Sequence, residues 1–163
     1  ITNVPGLTLA TFYADCVPLF FVDPVHKAIG LSHSGWKGTV GKIGKVTVEK
    51  MMAQYGTDPK DVLAAIGPSI CQSCYEVSED VIIQFKEAFE EKFWNELFYA
   101  KENGKYQLNL WRANELIFEE AGILKKHYST TNICTCCNPG YLFSHRASHG
   151  KRGNLGAFLQ IKE

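Results

Sequence analysis

Three short apolar runs, residues 7–12, 17–23 and 28–33, crowd the start of the chain and limit what it can fold into. Each is too short for an ordinary buried helix and is bounded by Gly, Pro or Asp, so each reads as a buried strand. Cys16 and His33 then both stand at strand ends. Pairing of neighbouring strands brings the two together.

A thiol and an imidazole so placed support two kinds of chemistry. They can share a zinc ion, or the histidine can lower the pKa of a cysteine that then attacks an electrophile. Behind His33 comes Gly35-Trp-Lys-Gly38, ahead of a helix predicted from about Thr39. Glycines between a strand and a helix start expose backbone N–H groups at the positive end of the helix dipole, which suits an anion such as phosphate, and Lys37 adds charge. The Gly-x-x-Gly spacing is common and lacks the Walker pattern. Taken singly, Cys16 also reads as a buried apolar thiol and His33 as a histidine bonded to backbone.

Charge narrows the partners. Seventeen basic residues balance seventeen acidic ones with no basic block or tail, which argues against nucleic acid and anionic membrane as the main partner. No apolar run approaches the ~18 residues of a membrane span. Six cysteines, one of them placed for chemistry, fit a reducing compartment, so the expected location is cytoplasmic.

Beyond residue 38 helices and strands mix without strict alternation. Residues 39–55 carry Val40, Ile43, Val48, Met51, Met52 and Tyr55 near helical spacing, with Gly56 as a C-cap and Asp58-Pro59 as a turn. Both methionines read as core fillers rather than copper ligands. Residues 62–67 read as another buried strand, and Ser78 as the N-cap of a helix running to about residue 93. Asn103-Gly104 marks a turn, residues 106–110 alternate as a strand, and 111–121 follow as a helix. Strands near 128–133, 141–145 and 155–161 complete an α+β (mixed α/β) fold, one domain over residues 1–163.

Two groups remain. Cys71-x-x-Cys74 and Cys134-x-Cys136-Cys137 suggest a four-thiolate metal site, but the second pair is tighter than the usual two-residue separation, and the expectation is loop cysteines packed near one another. His145 and Arg146 end a predicted strand. The planar fork of an arginine suits phosphate or the oxygens of a nucleoside, and a histidine can shuttle a proton; alternatively, Arg146 simply pairs with a surface acid. His26, His127 and His149 lie in polar, turn-like settings.

Ala14-Asp-Cys-Val-Pro18, His33-Ser-Gly-Trp-Lys-Gly38, Ala65-Ile-Gly-Pro-Ser-Ile70 with Cys74-Tyr-Glu-Val77, Cys134-Thr-Cys-Cys137 and Phe143-Ser-His-Arg146 resemble, in order, the signature blocks of one family. It is the YfiH type, also called laccase-domain or multicopper polyphenol oxidase proteins and related to human FAMIN. The resemblance implies a fold of mixed β-sheet layers flanked by helices, similar to the catalytic domain of Rho-deamidating toxins. It further implies a zinc-dependent purine nucleoside phosphorylase with adenosine deaminase activity, acting on adenosine, inosine and methylthioadenosine with phosphate as co-substrate.

The zinc ligands of that family are a histidine in a Gln-Val-His-Gly block, the cysteine of the Ala-Asp-Cys block and the histidine of the His-x-Gly-Trp block. The last two fall on Cys16 and His33, which are thereby the expected metal ligands and catalytic residues. The first has no counterpart, so the resemblance makes the chain the C-terminal portion of a longer protein. Lys37 and Arg146 become the expected substrate-binding residues. Three other readings stand beside this one: a metal-free Cys/His amide hydrolase, a copper phenol oxidase, for which five histidines are too few, and a non-catalytic binding domain. The sequence carries no signature of an oligomeric state.

Overall fold

Alternation along one strand organises the molecule. In the computed structural model, which describes residues 1–162, strand β2 (Val17–Asp23) buries Val17, Leu19 and Phe21 completely and so occupies an inner position of the largest sheet. That sheet also contains β3 (Ala28–Ser34), β4 (Leu63–Ile66) and β8 (Tyr128–Thr130), in the order β3-β2-β4-β8. β2 runs antiparallel to both neighbours, while β4 and β8 are parallel. A two-stranded sheet joins β1 (Thr8–Tyr13) to β9 (Leu155–Gln160). A three-stranded one is ordered β5 (Glu76–Val77), β7 (Tyr106–Leu108), β6 (Phe98–Ala100).

Five helices complete the α+β architecture among the described residues: α1 (Trp36–Val40), α2 (Ile43–Tyr55), α3 (Glu79–Ala88), α4 (Trp94–Leu97) and α5 (Leu110–Glu120). α2 and α5 cover the large sheet. A Cβ on Gly44 of α2 would stand 3.3 Å from both Leu19 Cδ1 and Ile117 Cγ2, so the glycine permits close approach. Phe118 of α5 packs edge-to-face on Phe21, ring centres 5.4 Å apart, and on Tyr128 at 5.7 Å. No described helix is long and apolar enough to cross a membrane.

Three expected elements differ from those observed. The single helix over 39–55 is two, because Lys42 adopts a left-handed conformation (φ 52°) between them, and the first begins at Trp36. Lys37 therefore lies in a helical turn and not in an open glycine loop. The helix expected to reach residue 93 stops at Ala88: Phe89 turns extended, stacks on Phe85 and accepts a hydrogen bond from Trp94 Nε1 through its carbonyl. The strand expected at 141–145 is absent. The N–H groups of Tyr141 and Leu142 donate to Asn138 O instead, closing turns that leave nothing for a ladder.

The sheet is tight where β4 ends. Gly67 N donates to Pro18 O at 3.0 Å, and a Cβ there would meet Pro18 Cγ at 2.7 Å and Phe20 Cε2 at 3.0 Å. Gly67→Ala is expected to cost about 1–3 kcal/mol through overpacking, read as a lower urea midpoint at unchanged slope. An unmoved midpoint would mean that the Pro18 ring yields.

Candidate functional site

The β2/β3 register pairs Pro18 with His33 and Val17 with Ser34, and one step further sets Cys16 across from Gly35. Gly35 leaves a cradle between the two side chains. A Cβ there would lie 3.0 Å from Cys16 Sγ and 3.9 Å from His33 Nε2, so thiol and imidazole border one small space. His33 is exposed and Cys16 half-buried. Burial pushes the Cys16 thiol up, the Asp15 charge adds to this, and the Arg152 charge opposes it.

A buried polar network holds the far end of β3. Ser34 Oγ donates to Asn114 Oδ1 at 2.9 Å and touches Thr39 Oγ1 at 2.9 Å. Asn114 Nδ2 donates to Leu110 O at 2.8 Å and to Thr39 Oγ1 at 3.3 Å. Thr39 in turn donates to the Gly35 carbonyl through both its hydroxyl, at 3.0 Å, and its N–H, at 2.8 Å. The path of the backbone through His33 and Gly35 is thus tied to α5.

The other flank is held by Asp15, a buried residue in the left-handed region (φ 79°). Its Oδ1 accepts from Thr135 Oγ1 at 2.7 Å and its Oδ2 from Arg146 N at 2.7 Å, which docks the 144–148 turn beside Cys16. The Arg146 guanidinium donates to Cys74 O at 3.1 Å and Glu76 O at 2.9 Å and lies 5.4 Å from the centre of the Tyr75 ring. Burial, then the Cys16 charge, push the Tyr75 hydroxyl up to about 12. Trp36, Tyr75 and Arg146, with Ser78, Val81 and Lys105, line a cavity of about 360 Å³. Lys37 is exposed, its ammonium 5.4 Å from the Trp36 ring centre. His145 is exposed and accepts from Arg152 Nε at 3.4 Å.

The structure thus brings Cys16 and His33 together, and it links Arg146 to Cys16 through Asp15 and Tyr75. Sequence reasoning passed over Asp15, Tyr75, Arg152 and Asn114. Only Asp15 and Tyr75 had a signal, standing inside the Ala-Asp-Cys and Cys-Tyr-Glu blocks.

The remaining cysteines pair differently from the expected Cys134-x-Cys136 unit. The Sγ atoms of Cys71, Cys74, Cys134 and Cys137 all lie within 4.8 Å of one another, so the second pair is Cys134-x-x-Cys137, with the ordinary two-residue separation. Cys136 is outside the set. Burial would raise the Cys134 thiol, but hydrogen bonds from the backbone N–H groups and thiols of Cys71 and Cys137 together outweigh it and hold the thiol below its ordinary value. Burial and hydrogen bonds among the thiols push Cys74 well up.

Residues 1–162 match the family model described as multi-copper polyphenol oxidoreductase laccase. The chain is 38% identical over 164 residues to purine nucleoside phosphorylase YlmD of Bacillus subtilis (strain 168), an alignment covering 99% of the chain and 58% of that protein. The crystal structure of the hypothetical protein YfiH of Bacillus licheniformis superposes with a TM-score of 0.93 at 35% identity, over 98% of the chain and 60% of its own. YlmD of Geobacillus stearothermophilus gives 0.93 at 34%, over 99% and 59%.

Proposed function

Because this chain belongs to the multi-copper polyphenol oxidoreductase laccase family, we propose that it carries the Cys/His part of a zinc-dependent purine nucleoside phosphorylase. The substrates we propose are adenosine, inosine and methylthioadenosine, with deamination of adenosine at the same centre. The Bacillus subtilis relative, named purine nucleoside phosphorylase YlmD, supports the reaction class. The observation that carries the reading is the cradle at Gly35, bordered by a thiol and an imidazole, a donor pair suited to zinc.

Cys16 and His33 would hold the metal, and the histidine the family adds to them has no counterpart in these 163 residues. When bound, zinc supplies Lewis-acid activation near neutral pH. The chain's own groups bind and orient. Trp36 and Tyr75 offer aromatic walls for a purine ring. Arg146 spends two N–H donors on the carbonyls of Cys74 and Glu76, which fixes its planar fork and leaves other donors for phosphate or ribose oxygens. Lys37, exposed beside Trp36, adds positive charge. In phosphorolysis a phosphate oxygen bonds to ribose C1′ while the bond from C1′ to the purine N9 breaks, its electron pair leaving with the base. We assign to His145, exposed and next to Arg146 in the chain, the transfer of a proton to the leaving base. We place the reaction in the cytoplasm, where thiols stay reduced; all six cysteines are free.

The test is phosphate-dependent release of hypoxanthine from inosine by the intact gene product, with ammonia release from adenosine measured in parallel. Cys16→Ser and His33→Ala are each expected to lower turnover by at least ~100-fold, the upper end of what even an outer partner of a metal ligand is worth. A chelator should stop the reaction. Activity that survives chelation but not thiol alkylation would replace this reading with the metal-free Cys/His hydrolase.

A further inference from the structure

We propose that Cys71, Cys74, Cys134 and Cys137 form a second metal centre, a closed tetrahedral tetrathiolate site for zinc that fixes one wall of the cavity lined by Trp36, Tyr75 and Arg146. The assignment does not depend on the nucleoside reading. It rests on four thiols from two distant stretches, the link from β4 to β5 and the loop after β8, converging to within 4.8 Å of one another. Zinc bound to sulfur at about 2.3 Å in a tetrahedron sets its ligands roughly 3.8 Å apart. Cys74 and Cys137 Sγ stand at 3.5 Å, and the full set spans a volume one ion fills.

The surroundings suit an ion with thiolate ligands. Cys134 Sγ accepts from the N–H of Cys71 at 3.3 Å and from that of Cys137 at 3.4 Å, the kind of main-chain support that offsets charge on a ligating sulfur. Each pair contributes a two-residue spacing, so both loops present two sulfurs from one tight turn. The loops are already clasped: Ser69 N donates to Ile133 O at 3.1 Å and Thr135 N to Ser69 O at 3.2 Å. Four protein ligands leave no open position, which makes the site structural. Binding exchanges the thiol protons for one divalent cation and releases those protons to solvent.

Its consequence lies next door. Cys74 O receives the Arg146 guanidinium, and Tyr75 follows directly, so an ion at this cluster would pin two of the residues that line the cavity with Trp36.

The experiment measures zinc and iron in protein purified under reducing conditions, in a Cys16→Ala background that removes a ligand of the other site. About one zinc per chain is expected, kept in Cys136→Ser and lost in Cys137→Ser, whose exposed position makes the exchange tolerable to the fold. Cobalt reconstitution of the background protein, which needs no further variant, should give the intense visible bands of tetrahedral cobalt with strong sulfur-to-cobalt charge transfer. Chelation should lower its melting temperature. Zinc content indifferent to Cys137, a cobalt spectrum without thiolate character, iron in place of zinc, or a Cys74 to Cys137 disulfide in metal-free protein would each overturn the proposal.

Discussion

Asp15→Ala is expected to lower the stability of the fold by about 3–6 kcal/mol, from the loss of two bonds to a buried carboxylate at ~1.5–3 kcal/mol each. Thr135 is fully buried, so its hydroxyl loses its acceptor with no water to replace it. The amide of Arg146 is stranded as well. A further cost comes from the backbone, since Asp15 sits at φ 79°, where Asp and Asn are tolerated and Ala is strained. Asp15→Asn keeps that conformation. Its oxygen can face Arg146 N while its amide donates to Thr135 Oγ1, so the expected cost falls to about 1 kcal/mol. Urea unfolding reads both values. Hydrogen exchange at the Arg146 amide separates a local effect from a global one: protection should vanish in Asp15→Ala at denaturant concentrations far below unfolding. An alanine variant within 1 kcal/mol of wild type, with that amide still protected, would show that the carboxylate does not dock the turn.

What could be read from the sequence was what neighbours along the chain settle between themselves. β2 and β3 are joined by a four-residue turn, so their apolar pattern, their pairing and the meeting of Cys16 with His33 follow from one stretch of chain. The α+β class followed in the same way, one run after another. The break at Lys42 was invisible because a left-handed lysine carries no glycine or asparagine signal. Residues 141–145 look like a strand, yet the chain there is held by Asn138 on one side and, at Arg146, by Asp15 from 131 residues away.

The four thiols show the same limit. The spacing of Cys71 and Cys74 was plain, but their meeting with Cys134 and Cys137 depends on β4 and β8 lying parallel, a pairing of three residues that no local pattern announces. Counting Cys134 with Cys136 hid the ordinary spacing of the second pair. Arg146 was read by chemical type as a phosphate or nucleoside ligand. The structure adds that its guanidinium is braced against two carbonyls, which a sequence cannot display. Bracing and binding are compatible, because an arginine offers five N–H donors.

Asn114 had no signal at all, and it is where the largest effect on the site itself is expected. It lies 80 residues from Ser34 and 75 from Thr39, fully buried on α5. Asn114→Ala removes the acceptor of Ser34 Oγ and the donor to Thr39 Oγ1, both fully buried, and is expected to cost about 2–4 kcal/mol. If the three side chains act as a unit, Ser34→Ala on top of Asn114→Ala should cost less than it does alone. The double-mutant cycle should then return a coupling of about 1 kcal/mol or more. A simple cavity at Asn114 would give additive costs. The network ends on the carbonyl of Gly35, the residue between Cys16 Sγ and His33 Nε2, so its loss should reach the two proposed metal ligands through the backbone. In the intact gene product, Asn114→Ala is therefore expected to weaken zinc retention at Cys16 and His33 by roughly 10-fold or more, the range for outer partners of a ligand. Ser34→Ala and Thr39→Val should shift it in the same direction. Unchanged zinc affinity in a destabilised Asn114→Ala protein would confine the network to holding α5 against the sheet, and the placement of His33 would then rest on the β2/β3 ladder alone.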